Sequence, residues 1–294
     1  MTAVPTPTDP GAGAALACVL LTGASGALGQ VLREPLRRRC LQAGGRLRLS
    51  DRVALPGAPL QPGEEFVECD LADRTGMHAL LQGVSAVVHL GGVSVEGPFD
   101  PILQANILGV FHLYEAARVH GVPRIVLASS NHATGCYEQG RVITAADPPR
   151  PDGYYGVSKL FAEHMAQMYH DRYGIQSVCL RIGTATVRPP DRRGLSTWLS
   201  HPDLIQLVLR SLLSPDVGCT VMYGISANQA AWWRDIGQAA RLGYAPQDNS
   251  EAYRAEIEAR PAPDPASALA RLQGGIFLDV GPFDTFSTGD SAAS

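Results

Sequence analysis

From residue 16 onward, short apolar runs alternate with longer stretches of helical periodicity. "ACVLLTG" (17–23), "RLRLSD" (46–51), "EFVECD" (65–70), "AVVHLGG" (86–92), "RIVLASS" (124–130) and "QSVCLRIG" (176–183) predict strands. Between them, "GALGQVLREPLRRRC" (26–40), "DRTGMHALLQG" (73–83), "DPILQANILGVFHLYEAARVHG" (100–121) and "YYGVSKLFAEHMAQMYHDRYG" (154–174) predict helices. Apolar strands without strict alternation, separated by helices, indicate a parallel sheet covered on both faces. The expectation is therefore a doubly wound α/β fold. Beyond residue 183 the order weakens. "TATVRPPDRRG" (184–194) reads as a loop and "STWLSHPDLIQLVLRSLL" (196–213) as one helix begun by Ser196, followed by short pieces.

Composition narrows the function. Of 294 residues, 45% are hydrophobic and 18% charged, which suits a globular protein with a large core. A net charge of −4 argues against a nucleic-acid protein, which usually carries a basic surface. No apolar run reaches the ~20 residues that span a bilayer. "GAGAALACVLLTG" has no Lys or Arg before it, so it lacks the start of a signal peptide. Residues 1–14 and 287–294 are expected to be disordered extensions. Six scattered cysteines with no C-x-x-C pair predict buried free thiols in a reducing cytoplasm, and no helical histidine pair supports a metal site.

"LLTGASGALGQ" places Gly23, Gly26 and Gly29 at the first strand-to-helix turn. Glycines there let the backbone approach a pyrophosphate, for which a helix N-terminus supplies donors and positive dipole. Ser25, Ala27 and Leu28 complete the turn, and Asp51 ends the second strand about 20 residues on. A carboxylate there accepts hydrogen bonds from ribose hydroxyls and repels a 2′-phosphate, favouring NAD over NADP, although Arg52 is adjacent. Asp70 falls either beside the adenine or at a helix N-cap. Leu71 and Leu90 are apolar neighbours of the cofactor or simply core, and Gly91 and Gly92 let backbone pass close to the cofactor ribose. Residues 15–183 are thus expected to form an NAD-binding Rossmann domain, with a substrate-binding region at 184–286.

Tyr155 and Lys159 are four apart, so a helix sets both on one face. A phenol is a poor base near neutrality. A nearby ammonium and the positive nicotinamide favour phenolate and lower its pKa. Tyr154 has no Lys at the fourth position. Ser130 ends the strand before this helix, so all three meet at the carboxyl edge of the sheet, where such folds bind ligands. A serine hydroxyl there suits holding the reacting oxygen beside the phenol.

"TGASGALG", the "SS" strand end and "YGVSK" resemble the extended short-chain dehydrogenase/reductase superfamily. "VVHLGGVSVEGPF", "ILQANILG", "ASSNH", "RPDGYYGVSK", "LRIGT", "LSTWLSH", "SANQAAWW" and "LQGGIF" narrow the resemblance to the uronate dehydrogenase family, across residues 18 to about 280. The resemblance implies NAD-dependent oxidation of the anomeric hydroxyl of D-galacturonate or D-glucuronate to an aldarolactone. It makes Tyr155 the base, Lys159 the holder of the nicotinamide ribose and Ser130 the positioner of the substrate oxygen. It adds Asn106 to the cofactor site, and Ser94, Asn131, His132, Thr184 and Arg193 to the substrate site. Thr184 stands where the family commonly has serine. Arg193 would grip the uronate carboxylate; Arg188 and Arg192 share its loop.

Two alternatives stay open: a nucleotide-sugar epimerase or dehydratase of the same fold, and a non-catalytic NAD sensor. The segment after Gly183 is short for holding a nucleoside diphosphate, and a sensor could dispense with the tyrosine. Trp232 and Trp233 suggest core or a subunit contact. The superfamily implies a homo-oligomer.

Overall fold

The computed structural model describes residues 16–57, 59–281 and Phe283, so the two expected terminal extensions lie outside the described residues. Seven parallel strands form one sheet: β1 (Cys18–Thr22), β2 (Arg46–Asp51), β3 (Glu64–Glu68), β4 (Ala86–His89), β5 (Arg124–Ser130), β6 (Gln176–Ile182) and β9 (Cys219–Gly224), in the order β3-β2-β1-β4-β5-β6-β9. Two-residue strands β7 (Thr184–Ala185) and β8 (Trp198–Leu199) pair separately.

Side chains of a strand alternate between faces, and both faces here are apolar. Val19 and Leu21 face one core with Leu47, Leu49, Val126 and Val178, beneath helices α1 (Ala27–Gln42) and α7 (His201–Leu213). Cys18 and Leu20 face the other with Val87, Ile125, Leu127 and Cys179, beneath α2 (Arg74–Leu81), α4 (Gly109–His120) and α5 (Tyr154–Tyr173). Each fully buried leucine contributes about 1.5–3 kcal/mol. The double coverage explains why the central strands β1 and β4 do not alternate in sequence, while β2 and the edge strand β3 carry charged residues.

The long helix predicted at 100–121 is built from α3 (Phe99–Ile102), a π-helical segment (Leu103–Leu108) and α4. Short helices α6 (Gly194–Thr197), α8 (Gln238–Leu242), α9 (Arg254–Glu258) and α10 (Ala268–Arg271) complete the chain.

Three expectations need correction. The stretch 196–213 is not one helix: it comprises the end of α6, β8 and then α7. Ser200, not Ser196, caps α7, its hydroxyl accepting from the Asp203 N–H at 3.1 Å, with Pro202 in the first turn. Secondly, the 184–194 segment is not wholly loop, since β7 pairs with β8. Thirdly, β9 completes the main sheet from residues beyond Gly183, pairing with β6 from Ser177↔Cys219 to Ile182↔Gly224. A division at 183/184 therefore does not contain the sheet. Among the described residues, no helix is long and apolar enough to cross a membrane and no cluster is suited to a metal ion.

Candidate active site

The strand order reverses between β1 and β4, and sheets of this kind bind ligands at the carboxyl ends of the strands at such a reversal. Gly23 follows β1 with φ +71°, and a Cβ there would lie 2.7 Å from the Gly91 nitrogen. The turn therefore rests directly on the backbone leaving β4. A Cβ on Gly29 would come within 2.2 Å of the Gly23 carbonyl oxygen, so α1 can start this close only with glycine. The N-cap of α1, Gly26, supplies no side-chain acceptor, and Ala27 at the start of the helix is exposed. Leu28 packs against the core.

Asp51 is held in place by two backbone donors, Ser25 N–H at 3.0 Å and Arg52 N–H at 2.8 Å. The Ser25 hydroxyl donates to the carbonyls of Val53 and Ala54. Asp70 is exposed and accepts from Ala72 N–H at 2.9 Å; Asp73 occupies the N-cap of α2, so the capping reading of Asp70 is corrected. Leu71 and Leu90 are partly buried against opposite cores. Gly92 has φ +136°, and a Cβ there would lie 2.6 Å from the Asn106 side-chain oxygen. Asn106, in the π-helical segment, accepts from Val93 N–H (2.8 Å) and donates to the Val93 carbonyl (3.0 Å) and Ser158 hydroxyl (2.9 Å). It clamps the β4 exit loop to α5.

Ser130, Tyr155 and Lys159 come together, as the sequence predicts. Ser130 ends β5 and its hydroxyl accepts from His132 N–H at 3.2 Å. Lys159 Nζ donates to the Ala128 carbonyl at 2.9 Å and lies 5.4 Å from the Tyr155 ring centre. Tyr155 is buried, whereas Tyr154 is exposed and meets Phe99 edge-on. The predicted lowering of the phenol pKa is not met in the protein alone. Burial pushes it up to about 12, the Ser130 hydroxyl pulls it down, and the Asp152 charge raises it. Burial likewise pushes the Lys159 ammonium down to about 8. Desolvation is the largest cause at both groups, and a cation brought close to the phenol would favour its phenolate form.

Arg193 is turned inward. Its Nε donates to the Gln273 carbonyl (2.6 Å) and one terminal nitrogen to the Thr184 hydroxyl (3.1 Å). With the Asn131 amide oriented to donate to the Ile182 carbonyl (3.1 Å), the other terminal nitrogen donates to Asn131 Oδ1 (2.7 Å). Burial lowers its pKa, while Asp191 and Asp152 raise it. Arg188 pairs instead with Glu256, and Arg192 donates to the carbonyls of Glu258 and Arg260. Thr184 also meets the Thr197 hydroxyl at 2.8 Å. Ser94 is exposed on the loop after β4.

Four residues were missed by sequence reasoning. Glu96 caps the N-terminus of α5, accepting from Tyr154 and Tyr155 N–H at 3.0 and 2.9 Å. Asp152 lies 2.6 Å from His132 Nδ1. Phe277 stacks on His132, ring centres 3.9 Å apart, and meets Tyr155 edge-on. Gln273 anchors Arg193 and bonds Trp233, which is core and stacks on Tyr223 at 4.7 Å. Of these, only Asp152 had a local signal, its position just before Tyr155.

Fold and site together define a dinucleotide-binding protein of the short-chain dehydrogenase/reductase type. The NAD dependent epimerase/dehydratase family matches residues 19–192. A uronate dehydrogenase of Pseudomonas syringae pv. tomato is 52% identical over 265 residues, covering 90% of this chain and 94% of that protein. The crystal structure of uronate dehydrogenase from Agrobacterium tumefaciens superposes with a TM-score of 0.86 at 48% identity, covering 92% of this chain and all of that one. A mutant of that enzyme complexed with NAD gives 0.85 at 47% identity, covering 91% and 99%. The chain belongs to the uronate dehydrogenase family.

Proposed function

We propose that this chain is an NAD-dependent uronate dehydrogenase, oxidising the C1 hydroxyl of D-galacturonate or D-glucuronate to the aldarolactone. The observation that carries the substrate class is Arg193: an inward guanidinium that makes no ion pair among the described residues. A charge drawn from water without a partner is costly, and a uronate carboxylate supplies that partner with two parallel hydrogen bonds.

Three features support a dinucleotide here: a glycine turn that a Cβ would obstruct, an uncapped helix start, and the Asp51 carboxylate at the end of β2. NAD, when bound, supplies the hydride acceptor and a positive charge. Gly23, Ser25, Gly26, Ala27, Leu28 and Gly29 would hold the pyrophosphate, Asp51 the adenosine ribose, and Asp70 and Leu71 the adenine side. Leu90, Gly91 and Gly92 would line the central passage, with Asn106 fixing that loop. Lys159 would hold the nicotinamide ribose.

At the sugar, Tyr155 as phenolate takes the C1 hydroxyl proton while Ser130 holds the same oxygen. Asn131, His132, Ser94 and Thr184 pair ring hydroxyls, which a buried site must satisfy individually. The described residues beyond Gly183 contribute the carboxylate clamp and the cover of the site, and the described residues before them, with β9, the cofactor platform. We also infer a cytoplasmic homo-oligomer. Six free thiols support the compartment, and light scattering after size exclusion tests the assembly.

The test of function is NADH formation by the purified protein with galacturonate, glucuronate, glucose and UDP-glucose, with NADP as a control. Turnover of both uronates but not glucose supports the proposal. Turnover of UDP-glucose alone would move the chain to the nucleotide-sugar enzymes, and NAD binding without turnover to the sensors.

A further inference from the structure

Asp152 stands just before α5 with its side chain fully enclosed. One carboxylate oxygen meets His132 Nδ1 at 2.6 Å; the other is buried without a hydrogen-bond partner. Two glycines from distant segments, Gly135 and Gly274, and the nearby Gly156 of α5 close around this carboxylate. A Cβ on Gly135 or Gly274 would lie 1.8 or 1.9 Å from Oδ2, and one on Gly156 3.2 Å from Oδ1. The Gly274 N–H donates to the Gly135 carbonyl at 2.8 Å, tying two walls of the pocket together. Burying a carboxylate with half its accepting capacity unused costs stability. Its one hydrogen-bonded side-chain partner among the described residues is His132, and its charge also acts on Tyr155 and Arg193.

The His132 ring is pinned on three sides. Phe277 covers one face at 3.9 Å with planes 12° apart, Tyr155 meets it edge-on at 5.7 Å, and Asp152 holds Nδ1. Nε2 makes no hydrogen bond among the described residues. A carboxylate only accepts, so Nδ1 must carry the hydrogen, and the Nε2 of a neutral imidazole is then an acceptor. We propose that Asp152 is a positioning residue that fixes the His132 tautomer and orientation, so that Nε2 accepts a hydrogen bond from one ring hydroxyl of the sugar beside the reacting C1. This rests on the uronate reading above. It adds to that reading the polarity of the contact and the residue that sets it.

The experiment compares wild type and Asp152→Asn on galacturonate and on its 2-, 3- and 4-deoxy analogues, with NAD affinity measured separately by calorimetry. In Asp152→Asn, kcat/KM for galacturonate is expected to fall about 10–100-fold, chiefly through KM, with NAD affinity unchanged. For the one analogue that lacks the contacted hydroxyl, the two proteins should differ less than about threefold. The same substitution added to His132→Ala should cost nothing further. If Asp152→Asn does not fold, Asp152→Ser supplies the same comparison, its hydroxyl being too short to reach the imidazole. An equal loss on every analogue, or a full loss on top of His132→Ala, would show a purely structural carboxylate and overturn the proposal. So would no loss at all. A wild-type protein inactive on galacturonate and glucuronate would instead overturn the functional reading.

Discussion

Replacing Arg193 by Lys keeps the charge and removes the fork, so it isolates what the guanidinium does. Arg has five N–H groups. Gln273 takes the Nε–H, while Thr184 and Asn131 take one from each terminal nitrogen. Two N–H groups remain, one on each terminal nitrogen, matching the two oxygens of a carboxylate. An ammonium is a single point of donation and cannot keep these neutral anchors while gripping both oxygens. Losing one charge-assisted hydrogen bond costs about 1.5–3 kcal/mol, or about 10–150-fold in kcat/KM. The assay is steady-state NADH formation at saturating NAD, with galacturonate beside galactose, which carries a hydroxymethyl group in place of the carboxylate. In Arg193→Lys the galacturonate value should drop by that factor while any galactose turnover stays level, so the preference for the acid shrinks. An equal fall for both sugars would mean that Arg193 merely supports the Gln273 segment. No fall for either would place the carboxylate elsewhere.

Three further outcomes follow from other parts of the molecule. Asp51→Asn removes the charge held at the end of β2 by Ser25 and Arg52 N–H, so the NADP-to-NAD ratio of kcat/KM should rise at least about tenfold; an unchanged ratio would remove Asp51 from the ribose site. Lys159 is pushed from 10.5 down to about 8. Between those values the unfolded chain binds more protons than the folded one, so stability rises with pH across that window, by about 3 kcal/mol from this residue. Urea unfolding of the NAD-free protein at several pH values should show that rise in wild type relative to Lys159→Met; parallel curves would refute it. Glu163→Gln breaks a buried pair with Arg181 (2.9 and 2.8 Å) that also accepts from Ser129 (2.5 Å), and should cost about 3–5 kcal/mol in urea unfolding. A loss below about 1 kcal/mol would show that the network is not a stability element.

β1, β4, β5 and β6 were legible because parallel strands covered on both faces leave continuous apolar runs, whereas β2 and β3 showed only short apolar positions set among charged residues. β9 was not: it follows a run of short pieces, and its pairing with β6 joins segments more than 40 residues apart. The apolar run "STWLSHPDLIQLVLRSLL" hid a break, although the Ser200-x-Pro202 signal of a helix start lies inside it. Tyr155 and Lys159 were legible from a four-residue spacing, and Ser130 from the end of the preceding strand. Gln273 and Phe277 were not, because the contacts of Arg193 and His132 with them bridge 80 residues or more of chain. Local pattern carries no record of such a contact. The pKa of Tyr155 was misjudged for a related reason: its sign depends on burial, and burial is a property of the assembled site.

The site divides along the sheet, and the division explains where the proposed chemistry falls. Exits of β1, β2 and β4 carry glycine turns, Asp51 and backbone donors, the groups suited to a dinucleotide. Exits of β5 and β6 carry Ser130, Asn131, His132 and Thr184, the groups suited to a hydroxylated ring. Lys159 reaches the boundary, bonded to Ala128 of β5, while His89 ends β4 beside it. Burial, then the Lys159 charge, pushes the His89 imidazole down to about 3, and its Nδ1 meets the Thr22 hydroxyl at 2.8 Å. At neutral pH this imidazole is uncharged. His89 therefore adds no positive charge beside Lys159. A cation at position 89 would place a second positive charge beside the buried Lys159 ammonium and oppose it.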